Sequence, residues 1–346
     1  MKRFDANPLL TPEDLAPTRE DLAVLCTLNP AAVRFGEETL LLVRVGEMPV
    51  DVAPDEIAAV MCDNPAGEIS IRRFRRDDPE IEIPDPRTFS YHGQMLLTSL
   101  SHLRLARSTD GVNFTFDASP AIFPAAPYEA FGCEDARITG LGGVYYITYT
   151  AVSGEGIAVA MASTRDFVTY ERHGLIFPPT QKDICLFPEK VGGRYVCRHR
   201  PGGTEFNKPS IWTAYSPDLV HWGDHHMTLA PAAGTWEAER VGCGAPPIKT
   251  AEGWLEMYHA SDGQRYCLGA MLSDLEHPER LISRSTTPVM VPEAPYETVG
   301  VFNECVFTSG QVVGDDGTIT IYYGAADRIC AGATTTVADM LAAAKQ

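Results

Sequence analysis

The chain has 346 residues, 45% apolar and 21% charged, a globular composition rather than a disordered or fibrous one. Lys and Arg number 28 against 46 Asp and Glu, and the net charge of −18 repels nucleic acid and anionic membranes as general partners. An anionic substrate must therefore meet a local basic cluster, which is workable because charge is screened over about 8 Å in physiological salt.

Residues 1–25 read as an N-terminal extension in which TPEDL predicts a short capped helix. The opening MKRFDANPLLTPEDL lacks an apolar h-region, so no secretory signal is expected and the chain is placed in the cytoplasm. LNPAAVRFGEETLLLVRVG predicts a first β-hairpin, and residues 62–92 (with IRRFRRDDPEIEIPDPR) a charged surface insertion. LRLARSTDGVNFTF follows, then EDARITGLGGVYYITYTA, AVAMASTRDFVTY, KDICLFPEKVGGRYVCRHRP, IWTAYSPDLVHW, GAPPIKTAEGWLEMYHAS, LGAMLSDLEHPERLI and NECVFTSGQVVGDDGTITIYYGAAD. The tail, residues 335–346, predicts a C-terminal helix. Nine scattered cysteines without a CxxC pair imply buried reduced thiols and no metal site, and His225-His226 read as surface residues.

Two phrases alternate along this list. One is an apolar strand closed by Ser and Asp, with Ser108, Ser163, Ser216 and Ser273 spaced 55, 53 and 57 residues apart. The other is a hairpin with a Gly-containing or acidic turn, present five times. Together they give four strands per unit, which predicts an all-β, five-bladed β-propeller forming a single domain over 1–346. A β-sandwich also has many short strands but does not account for the period.

In such a fold the first strands line one funnel. They begin near Asn29, Asp135, Lys182, Ala245 and Glu304, and the second strands return to the same rim near Arg44, Tyr149, His199-Arg200, Tyr258-His259 and Asp327. Carboxylates thus face a Lys/His/Arg group across one concavity. Bland readings stand beside this one: Asp135 as an ion-pair partner of Arg137, Lys182 as a solvated lysine, Asp327 as a turn residue, one of Arg198 and Arg200 as a structural ion pair.

LTSLSHLRLARSTDGVNF, GCEDARIT, VYYITYTA, KDICLFPEKVGGRYVCRHRP, IWTAYSPDLVHWG, GAPPIKTAEGWLEMYHA and IYYGAAD resemble glycoside hydrolase family 130, over about residues 26–335. The resemblance implies a five-bladed propeller, Asp135 as catalytic acid working through a hydroxyl of the mannosyl unit, a phosphate seat of Lys182, His199, Arg200 and His259, and a sugar site of Asn29, Arg44 and Asp327. His102, Tyr258 and Glu304 are placed near the same funnel. It also implies inorganic phosphate as co-substrate, no metal or organic cofactor, and a possible homo-oligomer. Ala136 and Glu304 depart from the family pattern, which leaves the linkage open.

Inverting hydrolysis needs an acid and a base, whereas phosphorolysis needs one acid and a cationic cradle. A lone acid beside basic residues therefore points to phosphorolysis of a β-1,2- or β-1,4-mannoside to α-mannose 1-phosphate, with Asp135 protonated because burial or a neighbouring Glu134 or Asp183 raises its pKa. The alternatives are an inverting β-mannosidase with Glu304 or Asp183 as base, and a non-catalytic sugar-binding propeller.

Overall fold

The structure, a computed structural model, describes residues 1–62 and 68–346. It is all-β with few helical turns. β1 (Lys2–Arg3) precedes a 3-10 turn at Pro12–Asp14, where the Thr11 N–H donates to Asp14. β2 (Leu22–Phe35), β3 (Glu38–Pro49), β9 (Leu100–Ser108) and β10 (Thr115–Phe116) form the first antiparallel meander. Between its second and third strands lie β4 (Glu56–Cys62), β5 (Ile69–Arg75), β6 (Ile81–Asp85), β7 (Thr88–Tyr91) and β8 (Gln94–Leu97). The second meander is β11 (Gly132–Leu141), β12 (Val144–Ser153), β13 (Gly156–Thr164) and β14 (Glu171–Phe177). The third is β15 (Gln181–Leu186), β16 (Tyr195–Pro201), β17 (Ile211–Ser216) and β18 (Gly223–Leu229). In the fourth, β19 (Arg240–Cys243) and β20 (Ile248–Thr250) both pair with β21 (Gly253–Ser261), which leads to β22 (Tyr266–Ser273) and β23 (Leu281–Arg284). After α1 (Pro295–Thr298) come β24 (Val306–Val313), β25 (Thr318–Ala325), β26 (Ile329–Thr336) and the terminal helix α2 (Val337–Ala344).

The last meander takes its fourth strand from the chain's other end, with Lys2 opposite Thr334 in the β1–β26 pair. The opening residues, expected to lie outside the repeat, thus complete it. The apolar side chains form layers between successive meanders. Val159 and Met161 of β13 pack on Ile184 and Leu186 of β15, and Leu268 and Leu272 of β22 pack on Val306, Ile321 and Met340. The facing sides of these meanders are therefore buried, which their apolar and β-branched strands permit.

The charged insertion is more ordered than a surface linker. Ile57, Phe74, Ile81, Phe89 and Leu96 alternate onto one face and cluster with Phe131 and Val152. On the other face Val60, Ile69 and Ile71 pack on Leu22 and Leu100, and charges gather at the strand ends, where Arg75 pairs with Asp55 and Asp77. Residues 63–67 of the expected insertion lie outside the described residues. The Ser-Asp phrase is a side-chain-capped turn: Asp110, Asp166, Asp218 and Asp274 each accept two backbone N–H bonds from the residues two and three further on. Thr164, not Ser163, holds the hydroxyl position of the second copy. All nine cysteines are buried, and no described helix is long and apolar enough to cross a membrane.

Candidate active site

The leading strands share one local device. Pairing registers slip between Leu28 and Ala31, between Glu134 and Arg137, and between Lys182 and Cys185. At each slip a single residue adopts the left-handed region: Asn29 at φ 46°, Asp135 at 46°, Asp183 at 54°. Glu304, just before β24, does the same at 53°. A β-bulge adds one residue and re-aims the side chain it carries, and Asn and Asp are the side-chain-bearing residues that tolerate left-handed backbone best. Each such position stores about 1–3 kcal/mol of strain. The third-meander counterpart of Asp135 is therefore Asp183 rather than Lys182.

Asp135 is buried, and its Oδ1 accepts from Asn29 Nδ2 at 2.9 Å and Arg44 Nη1 at 3.2 Å. Arg44 also donates to Glu134 Oε1 at 2.7 Å and to the Ser101 hydroxyl at 3.1 Å, so its guanidinium is fixed on three sides. Gly324 lets Asn29 into place, because a Cβ there would stand 2.1 Å from Asn29 Oδ1. Burial pushes the Asp135 pKa up, but the charges of Arg44, Lys182 and Arg137 and the Asn29 hydrogen bond outweigh it and hold the carboxyl below the ordinary aspartate value. The expectation of a raised pKa fails for that reason. The raised carboxyl is Asp327, where burial and the Asp135 charge prevail over Arg44, Arg87 and Lys182. Asp327 Oδ2 lies 3.8 Å from Arg87 Nη1.

Arg137 is not the ion-pair partner of Asp135. Its Nη1 donates to the backbone carbonyl of Asp135 at 2.9 Å, and its other nitrogens reach the carbonyls of Cys243 and Gly244 at 2.7 and 3.2 Å. It also stands 3.3 Å from Asp183 Oδ1. Asp183 Oδ2 meets Arg200 Nη1 at 3.0 Å and His259 Nε2 at 3.2 Å. Burial would raise the Asp183 pKa, but Arg200, His259 and Arg137 hold it well below the carboxylate range. His259, fully buried with its ring 4.0 Å from that of Phe307, is pushed down to about 4, chiefly by burial. Its Nδ1 has no hydrogen-bond partner. Its Nε2 accepts from Arg200 Nη1 at 3.5 Å, so a neutral imidazole carries its proton on Nδ1, an open donor. Gly242 makes this approach possible, since a Cβ there would stand 2.3 Å from His259 Nε2. Arg137 thereby links the Asp135 cluster to the Asp183–Arg200–His259 cluster, and the Lys182 charge acts on both Asp135 and Asp327.

Several expected site residues go elsewhere. His199 Nδ1 meets Gln181 Oε1 at 2.9 Å, its Nε2 meets His225 at 3.1 Å, and its ring lies 4.9 Å from Phe177. It neighbours Arg200 on a strand, and alternation turns the two apart. The same rule separates His259 from Tyr258, whose hydroxyl donates to Glu237 at 2.8 Å beside Trp236. It also separates Ser101, on Arg44, from His102, which is buried 3.5 Å from Glu47. Tyr149 donates to Glu129. Arg198 is the structural ion pair, enclosed with Glu256. Glu304 is exposed. The sequence reading left out Ser101, Phe307 and Arg87. It also left out Tyr266, 6.2 Å from His259 with Arg240 over its ring. Ser101 was accessible from strand alternation, whereas Arg87 lies outside the repeat and carried no signal.

A family profile described as β-1,4-mannooligosaccharide phosphorylase matches residues 86–346. A β-1,2-mannobiose phosphorylase of Listeria innocua serovar 6a is 40% identical over 344 residues, 98% of this chain and 97% of that protein. A 1,2-β-oligomannan phosphorylase of Thermoanaerobacter sp. is 41% identical over 234 residues, 66% and 77% of the two chains. The solved structure of the Listeria innocua β-1,2-mannobiose phosphorylase in complex with β-1,2-mannobiose superposes with a TM-score of 0.96 at 39% identity, covering 99% of this chain and 98% of that one. On the profile match and on near full-length identity, the chain belongs to glycoside hydrolase family 130.

Proposed function

We propose that the protein catalyses the reversible phosphorolysis of β-mannosides, transferring the mannosyl unit to inorganic phosphate to give α-mannose 1-phosphate and a shortened acceptor. The names of the two relatives above favour the β-1,2 linkage over β-1,4. We take the five meanders as the blades of one five-bladed propeller, a reading supported by their face-to-face layers and by the β1–β26 pair.

The observation that carries the proposal is a buried carboxyl, Asp135, joined through Arg137 to the Asp183–Arg200–His259 cluster. Arg200, Lys182 and the Nδ1 of His259 form the phosphate seat, and Asn29, Arg44 and Asp327 hold the reacting sugar. A phosphate oxygen bonds to C1 from one face of the ring. The C1–O bond to the acceptor breaks on the other, and the departing oxygen takes a proton from Asp135, directly or through a sugar hydroxyl. In the synthetic direction the proton returns. The phosphate's own charge opposes that of Lys182 and Arg200 and pushes the Asp135 pKa back up, so that the acid is loaded when the nucleophile is in place. Positioning of a ready anion supplies part of the rate. No metal or organic cofactor enters this scheme.

Hydrolysis gains no support from Asp183, whose carboxylate is already shared among Arg137, Arg200 and His259. The test is a set of mannobioses of each linkage, incubated with and without phosphate and scored for mannose 1-phosphate. Phosphate-dependent product is expected with the β-1,2 substrate. Equal turnover in phosphate-free buffer would reject the phosphorylase reading.

A further inference from the structure

We propose that Arg87 binds the departing sugar, the acceptor in the synthetic direction, and so helps decide which β-mannosides are used; this rests on the phosphorylase reading. Arg87 lies in the turn between β6 and β7, outside the five meanders. Asp85 Oδ1 accepts from its backbone N–H at 2.8 Å and from its Nε at 3.3 Å, which fixes the root and the neck of the side chain. The terminal nitrogens are directed elsewhere. Nη1 is 3.8 Å from Asp327 Oδ2, and the guanidinium carbon lies 5.6 Å from the centre of the Phe302 ring.

Asp327 is the carboxyl that also feels Arg44, Asp135 and Lys182, so Arg87 reaches the reaction centre itself. It does so from the solvent side. Its side chain is 44% exposed, against 22% for Arg44, which approaches the same carboxylates from β3. The inserted strands are not free to swing away from this position. Ile81, Phe89 and Leu96 pack on Phe131, the residue that precedes β11 and its Asp135.

The chemistry of displacement then assigns the role. Inversion requires the nucleophile and the leaving group on opposite faces of the sugar. The phosphate seat belongs to the third and fourth meanders. Arg87 comes instead from the insertion in the first meander, and Phe302 from the segment before the fifth. A guanidinium fork over an aromatic ring offers N–H donors to hydroxyls and an apolar face to sugar C–H groups. An ion pair this long and this exposed contributes little to folding, so stability does not account for the arrangement.

The test is R87A and R87K assayed in the synthetic direction with mannose 1-phosphate and mannose. For R87A the KM for the acceptor is expected to rise at least about tenfold, as for a lost charged hydrogen bond, while that for mannose 1-phosphate stays within about twofold. R87K keeps the charge without the fork and is expected to fall between wild type and R87A; it also guards against a folding defect in the alanine variant. Equal rises for both substrates, or no rise in either variant of an active phosphorylase, would overturn the acceptor role alone. Wild-type turnover that ignores phosphate would overturn the parent reading and this proposal with it.

Discussion

Asp135 and Asp183 occupy equivalent bulges in successive meanders, with the same side chain and nearly the same backbone, φ 46° and 54°. Their surroundings differ. Asp135 shares its partners: Arg44 is also held by Glu134 and Ser101, and Asn29 donates a single hydrogen bond. Asp183 is the common counter-charge of Arg137 and Arg200, stands 3.2 Å from His259 and is almost wholly enclosed. One backbone device thus presents a carboxyl that can exchange a proton and another that organises cations. The repeat sets where a carboxyl goes, and its neighbours set what it does.

Four experiments break or sharpen that contrast. Asp135→Asn is expected to lower kcat by about 10²–10⁴-fold with mannoside binding kept, measured by turnover and calorimetry. Its stability should change by under about 1.5 kcal/mol, since Arg44 retains Glu134. A comparable loss of stability in both aspartate variants would end the distinction.

Asp183→Asn leaves buried cations uncompensated and is expected to cost about 3–5 kcal/mol in urea unfolding. An unfolding midpoint equal to wild type would show that the cations do not depend on it. Arg200→Ala is expected to raise the KM for phosphate about 10- to 100-fold and the KM for the mannoside far less. Equal changes in the two constants would remove Arg200 from the phosphate seat.

The smallest effect is in pH. Burial pushes His259 down to about 4 and His199 to about 3, while an unfolded histidine titrates near 6.5. Between those values the unfolded chain binds protons that the folded one does not. Stability is therefore complete above about pH 6.5 and falls on acidification toward pH 4, by about 1.4 kcal/mol per pH unit for each histidine. Urea titrations at pH 7.0, 6.0 and 5.0 measure the slope, and His199→Gln should reduce it. An unchanged slope would mean that His199 is solvated.

The all-β architecture and much of the site were legible because repeated hairpins impose a period and because polar residues at strand starts stand out against apolar strands. Asn29, Arg44, Asp135 and Asp327 meet as expected, as do Arg200 and His259. His199, Tyr258 and His102 turn to Gln181, Glu237 and Glu47, because adjacent strand residues face opposite sides. The bulges were not legible. They shift the count by one, which is why Asp183 rather than Lys182 takes the equivalent position, and no residue type announces a register slip. Arg87 escaped for another reason: a contact between an insertion and a distant turn has no signature in a period.

The β1–β26 pair fastens together two strands far apart in the sequence, Lys2 against Thr334 and Arg3 against Ala333. Those hydrogen bonds form only when two strands more than three hundred residues apart have met. Closing so long a loop is slow, so the last sheet should be a late step of folding. Trimming the leading residues would then shorten the protein's lifetime well before it altered the chemistry at Asp135.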